Sequence, residues 1–442
     1  MNKEESLALY EKGVEAWNAW ANKMLAKKAE LEKCEPWQTD KDGFRISEVT
    51  KVWERDSEVD FSDHVFDDKV DFSGFIFPYS VNFENATFSS HVKFTNAIFG
   101  GNAIFLNATF SHFTDFVGAT FNDSALFYEA IFNNHTLFNI AKFGSVAVFN
   151  NATFSDFVMF KKAIFRGNAP FDKAKFTENA DFDGALFENS ASFNDTNFKR
   201  NSSFVAIEGK SLFSFQNTEF HLAPDFNQAH FTEAPQFDNS DFSKALNRSR
   251  SESEGNISSN WRALKRLAIQ GHDHERELIF FAAEIKSQRG KEDKALPNPL
   301  NYFNDKPVWP GGSRYWFGYF YQCFSDFGRS IMRPLSWWLG LGALFLFLYL
   351  KYPIDAEPQA TVSCDRTEAA LYLSVRNALP FLPATGYSEN LSRSYACLYG
   401  KHSDGKEKIP NAIVFMSIVQ TILSTILIFL LLLALRNHFK IK

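Results

Sequence analysis

Cysteine is scarce in this chain of 442 residues: Cys34, Cys323, Cys364 and Cys397 are its four, and none stands in a CxxC pair. That spacing excludes a disulfide framework and a thiolate zinc site. Also missing are a glycine-rich phosphate loop and any Ser/His/Asp or Cys/His arrangement at a spacing suited to nucleophilic catalysis. No enzyme activity, no cofactor and no metal is expected. The run from His272 to His274 offers two ligands without a third or fourth, and Asp273 between them reads better as a helix N-cap. The opening residues, MNKEESLALYEKGVEAW, are charged and hold no apolar run, so no secretory signal is read there.

What the chain does have is phenylalanine. Phe occupies every eleventh position from Phe61 to Phe237, and a second series offset by five runs from Phe66 to Phe242, broken only at Gly209. The first turns of both series give Phe61, Phe66, Phe72, Phe77, Phe83, Phe88, Phe94 and Phe99 as expected core residues. Two positions before most of these rings stands a small or β-branched residue, such as Ala86, Val92, Ala97, Ala103 or Ala108. The unit is about [A/V]xFxx[A]xFxxx. A spacing of five then six keeps no single face of a helix or strand buried, because those elements repeat at 3.6 and 2.0 residues. It suits a solenoid, in which each unit buries its ring against the neighbouring coil and the small residue leaves room for it.

This pattern resembles the pentapeptide-repeat family. The resemblance implies a mainly β fold: a right-handed, four-sided β-solenoid with a large inward residue at the centre of each side and Ala two before it. The alternation of five and six then implies 22 residues per coil and a one-residue bulge on alternate sides. At about 4.8 Å per coil the rod is about 40 Å long. Asn85, Asn107 and Asn151 recur outside the core, where their amides can form ladders between coils. Gly209 is expected to mark an irregular coil, its missing ring replaced by Leu212 or Phe213.

A chain this long holds about three or four structural units. We divide it into an N-terminal amphipathic helix and solenoid cap (1–55), the solenoid (56–245), a linker with a helical hairpin (246–295), an aromatic interfacial segment (296–333) and a two-helix membrane domain (334–442) with an external loop (353–410). Within 56–245, 24 acidic residues face 12 basic ones, so the rod is acidic in a chain whose net charge is −6. In the N-terminal helix Leu7, Tyr10, Val14, Trp17, Ala21 and Met24 share a face suited to capping the open end of the solenoid. Before the first membrane segment, Tyr315, Trp316, Phe317, Tyr319, Phe320 and Tyr321 suit the headgroup region.

Two uncharged runs, LSWWLGLGALFLFLYL and AIVFMSIVQTILSTILIFLLLLAL, are long enough to span a lipid bilayer. Arg329 and Arg333 precede the first, and Arg436, Lys440 and Lys442 follow the second. Positive charge on both outer flanks predicts cytoplasmic termini and an external 353–410, in a multi-pass protein of the bacterial inner membrane. Cys364 and Cys397 then lie outside, where a disulfide between them is expected. The order GVEAWNAW, Phe repeats, helical hairpin and a membrane pair ending ALRNHFKIK is similar to the membrane-bound subgroup of bacterial pentapeptide-repeat proteins.

Three functions suit these features. The first is a homo-oligomer with a channel-like membrane domain that conducts ions. Two membrane helices joined by a short apolar helix (Ala369 to Leu379) resemble two-helix pore-loop cation channels, although only Thr385, Gly386 and Tyr387 match the filter run and Arg376 sits in the would-be pore helix. Ser417, Gln420, Thr421, Ser424 and Thr425 form a polar stripe that must meet a pore or another helix, with Arg376 and Asn377 as a candidate outer mouth favouring anions. The second is a membrane-anchored scaffold whose acidic solenoid binds a protein partner, its stripe packed on the first membrane helix near Gly340 and Gly342. The third is mimicry of duplex DNA toward a topoisomerase, which the membrane tether disfavours; nucleic acid itself is not an expected partner.

Overall fold

The computed structural model describes residues 1–34, 48–248, 257–294, 313–352, 365–379, 387–400, 407 and 409–440. They form two compact units, Met1–Asp273 and His274–Lys442, divided inside the segment read as one helical hairpin.

The first unit opens with helices α1 (Lys3–Tyr10), α2 (Gly13–Cys34) and α3 (Glu48–Ser57). Two-residue strands then follow one another from Val59 to Phe231, all paired in parallel with the strand 22 residues away. Val59 pairs with Val81, Phe66 with Phe88, Val70 with Val92 and Phe77 with Phe99. The result is a parallel β-solenoid of about eight turns, followed by α4 (Ser243–Arg248) and α5 (Ile257–Gln270). One ladder splits between Ala147–Val148 and Ala169–Pro170. Pro170 has no N–H to donate there.

The alternation of five and six residues has a local cause. After each Phe of the first series the chain makes a tight turn whose third residue is left-handed, as at Asp63, Asn85 and Asn107 (φ 52°, 56° and 54°), and residue i+3 donates back to the Phe carbonyl. That is the geometry of a type II turn. After the second series no such i→i+3 bond forms among the described residues, and the bend takes one residue more. Asn and Gly tolerate the left-handed position; Ile140, which also holds it at φ 53°, is costly there. Asn85 Nδ2 donates to Asp63 Oδ1 at 2.9 Å and Asn107 Nδ2 to Asn85 Oδ1 at 3.3 Å, so the ladder exists over the first turns. Asn151 makes no such bond among the described residues.

Inside, rings 22 residues apart stack face to face: Phe83 on Phe105 at 4.8 Å and 4°, Phe116 on Phe138 at 4.8 Å and 2°. Rings of neighbouring columns meet edge to face, as Phe94 and Phe105 do at 5.6 Å and 83°. Both arrangements suit the ring quadrupole. The expected Phe positions are buried throughout. At the gap, Phe213 supplies the missing ring: it lies 5.0 Å from Phe187 and 5.1 Å from Phe231, the column neighbours of Gly209, while Leu212 stays exposed.

Helices close both ends. Trp17 is fully buried, lies 6.2 Å from Phe61 and donates Nε1 to Ile76 O at 2.8 Å; Asn18 donates to Gly74 O and accepts from Ile76 N, both at 2.9 Å. At the far end Trp261 packs on Phe242, and Asn260 and Gln270 donate to the carbonyls of Ala223 and Phe231. Strand edges that would otherwise template pairing with another chain are thereby satisfied.

The second unit is helical: α6 (His274–Lys294), α7 (Ser313–Ser325), α8 (Met332–Lys351), α9 (Arg366–Ala378), α10 (Tyr387–Tyr399) and α11 (Asn411–Lys440). By length and composition, Met332–Lys351 and Asn411–Phe439 suffice to cross a membrane.

Candidate functional site

Helices α8 and α11 expose their apolar side chains: Leu339 is 58%, Phe347 56%, Ile422 55% and Phe429 63% accessible. A helix from the core of a water-soluble protein hides such residues, and so large an exposed apolar surface needs a cover. In the middle of this apolar surround sits a closed polar network.

Gln420 on α11 is completely buried. Its Nε2 donates to Ser374 O at 2.9 Å and lies 3.2 Å from Ser374 Oγ, and its Oε1 accepts from Tyr349 OH at 2.8 Å. Tyr349 OH also accepts from Asn377 Nδ2 at 3.0 Å and lies 3.3 Å from Ser417 Oγ. Ser374 Oγ donates to Gly342 O at 2.7 Å. Three helices are therefore joined by one buried cluster, with the amide of Gln420 using both its oxygen and its nitrogen. Burying that amide without partners in such surroundings would cost on the order of 2–7 kcal/mol.

The polar stripe, read as facing either a pore or another helix, has two of its side chains bonded within the chain. Ser417 and Gln420 bond to Tyr349. Thr421 and Thr425 bond to carbonyls one turn back in α11, so neither needs water. Ser424 Oγ is buried with no hydrogen-bond partner among the described residues. The contact involves Gly342, whereas a Cβ at Gly340 would meet open space. Replacing Gln420 by Leu is expected to lower stability by about 1–2 kcal/mol while leaving the oligomeric state unchanged. Thermal unfolding in detergent reads the first and light scattering the second; an unchanged midpoint would show the network holds nothing.

Asp365 starts α9, its side chain accepting from Thr367 N at 2.8 Å. The helix then runs back along α8. Ala369, Ala370 and Leu373 share a buried cluster with Phe345 and Tyr349, Ser374 meets Gly342, and Trp338 Nε1 donates to Ala378 O at 3.1 Å. Each step along α9 moves toward the start of α8. Asn377, read as part of a candidate outer mouth, is 4% exposed and lies inside the helix packing. Arg376 Nη1 donates to Asn377 Oδ1 at 3.2 Å. α10 returns the other way, ending where Tyr399 OH donates to Tyr349 O at 3.3 Å. Thr385 and Gly386 lie outside the described residues and Tyr387 begins α10. Cys364 also lies outside them; Cys323 is a free, exposed thiol, and Cys397 is bonded.

The solenoid is less uniformly acidic than its total suggests. Residues 56–81 carry seven acidic side chains against one basic, residues 82–171 five against five, and residues 172–245 twelve against six. The middle turns instead present outward apolar residues in register, Ile104 beside Leu126 beside Val148. Sequence reasoning missed this pattern, although counting charge turn by turn would have found it.

No curated protein and no solved structure gives a significant match to this chain. A family model does: residues 72–120 and 160–206 match pentapeptide repeats in nine copies. Between those spans Phe121, Phe127, Phe132, Phe138, Phe143, Phe149 and Phe154 keep the same register and the same stacking. The β-solenoid of this chain is built from pentapeptide repeats.

Proposed function

We propose that the chain is a subunit of an oligomeric bacterial inner-membrane protein with a channel-like membrane domain. In this reading α8 and α11 cross the bilayer, both termini and the solenoid are cytoplasmic, and residues 353–410 belong to the outer side. The solenoid is taken as right-handed and four-sided from its family resemblance. The course of α9 carries the proposal. With α8 across the membrane, the 13 residues of α9 descend about 20 Å into a hydrocarbon layer about 30 Å thick. α10 climbs back beside it with Glu389, Asn390 and Arg393 exposed. Charged groups at that depth do not face lipid; they face water or another subunit. Several copies closed around α10 provide both. Exposed Phe317, Tyr319 and Phe320 on α7 suit the inner headgroup region.

The test is reconstitution of the full chain in liposomes, with its mass measured in detergent and its ion flux recorded. Oligomers that conduct, with Glu389→Lys shifting permeability toward anions, are expected. A monomer without flux sinks the proposal. Thiol labelling checks the topology: Cys364 and Cys397 should react from outside, and only after reduction.

A second reading, a membrane-anchored scaffold that binds a protein partner through the acidic ends of its solenoid, is favoured by Gln420, whose hydrogen bonds close without any pore. A partner retained in low salt and lost in high salt, with no flux in liposomes, would establish it.

A further inference from the structure

A groove of about 280 Å³ runs between α9 and α10, walled on one side by Asp365, Glu368 and Tyr372 and on the other by Asn390, Arg393 and Ser394. Its size falls just below the roughly 300–1,000 Å³ of sites for drug-sized ligands, so its occupant is small. The charges on the two walls are opposite, yet they do not meet. Neither the Glu368 carboxylate nor the Arg393 guanidinium has an ion pair or hydrogen bond among the described residues, and both residues are exposed at the groove. Asp365 accepts at Oδ1 from Thr367 N and Oγ1, and the backbone N–H of Glu368 also favours its ionised form, so it stands at the groove as a carboxylate. Ser394 Oγ is committed to Asn390 O, so the amide of Asn390 is the remaining polar group near Arg393. Two carboxylates facing a guanidinium across an open space match a molecule carrying one charge of each sign at its ends.

We propose that this groove binds a small zwitterion of the amino-acid class, its ammonium held by Glu368 and Asp365 and its carboxylate by Arg393. Arg presents a planar fork that pairs with a carboxylate through two N–H donors, a geometry that distinguishes it from a diffuse basic surface. Tyr372 supplies an aromatic wall at the ammonium end, where a cation gains from the ring face. The site shares Asn390 and Arg393 with the α10 face of the channel reading, but it needs neither conduction nor oligomers.

Calorimetric titration of the full chain in detergent tests it. The probes are glycine, β-alanine and γ-aminobutyrate, which space the two charges differently, with ethylammonium and acetate as single-charge controls. At least one zwitterion is expected to bind tenfold or more tightly than either control, and Glu368→Gln and Arg393→Gln should each weaken it at least tenfold. Both side chains are exposed, so both variants should unfold at the wild-type temperature. Absence of binding by all three zwitterions, equal binding by a single-charge control, or binding untouched by the two substitutions would overturn the proposal.

Discussion

Deleting residues 1–57 is expected to turn the chain into a self-associating species whose assembly grows from the first turn of the solenoid. Two kinds of loss coincide there. The backbone groups of Gly74 and Ile76 lose Asn18 and Trp17, Ser62 O loses Lys3 Nζ, and the N–H of Asp60 loses Ser6 Oγ. The rings of Phe61, Phe72 and Phe75 lose Trp17 and Tyr10. An exposed, flat strand edge over an aromatic core is a template for another edge of the same kind. The single change Trp17→Ala should show a milder form, costing about 3–5 kcal/mol. Size-exclusion chromatography and thioflavin fluorescence of the detergent-solubilised protein measure the deletion. A truncated chain that stays the size of the parent would mean the helices are ornamental to the edge.

The second large effect lies at the break in the Phe series. Phe213→Ala removes the ring that fills the column between Phe187 and Phe231, and should cost about 3–5 kcal/mol. Gly209→Phe by itself should also destabilise, because a Cβ there would lie 2.7 Å from Phe231 Cδ1 and 3.0 Å from Phe213 Cδ2. Combined, the two changes should nearly cancel. Gly209 is not held in the left-handed region, so its backbone accepts a Phe. The double variant restores the ordinary unit, with a small residue two before Phe215 and a ring at position 209. Denaturant unfolding of the three variants should find the double within about 1 kcal/mol of wild type. Additive losses would show that Phe213 does not stand in for the missing ring.

The solenoid was legible in the sequence because its physics is translational. Each residue lies on the one 22 positions later, so the requirement that Phe83 meet Phe105 is written as a spacing, and nothing distant can alter it. The polar stripe on α11 was legible for a similar reason: helical geometry places Ser417, Gln420 and Ser424 on one face whatever surrounds them. The capping role of the N-terminal helix could be anticipated from its apolar face. That Asn18 would complete the hydrogen bonding of an open strand edge could not, since the face says where a helix sticks and not which backbone atoms it meets.

The sequence by itself thus determined the coil register, the acidic excess and the two helices able to span a bilayer, all properties of near neighbours or of composition. Tertiary structure decided the rest. Which groups Gln420 meets in its own chain depended on the path of α9, which brings Ser374 to it from 46 residues away. Whether the gap at Gly209 stayed empty depended on how far the ring of Phe213 reaches around the core. Periodicity names the face a side chain occupies; only packing between segments remote in the chain selects what that face touches.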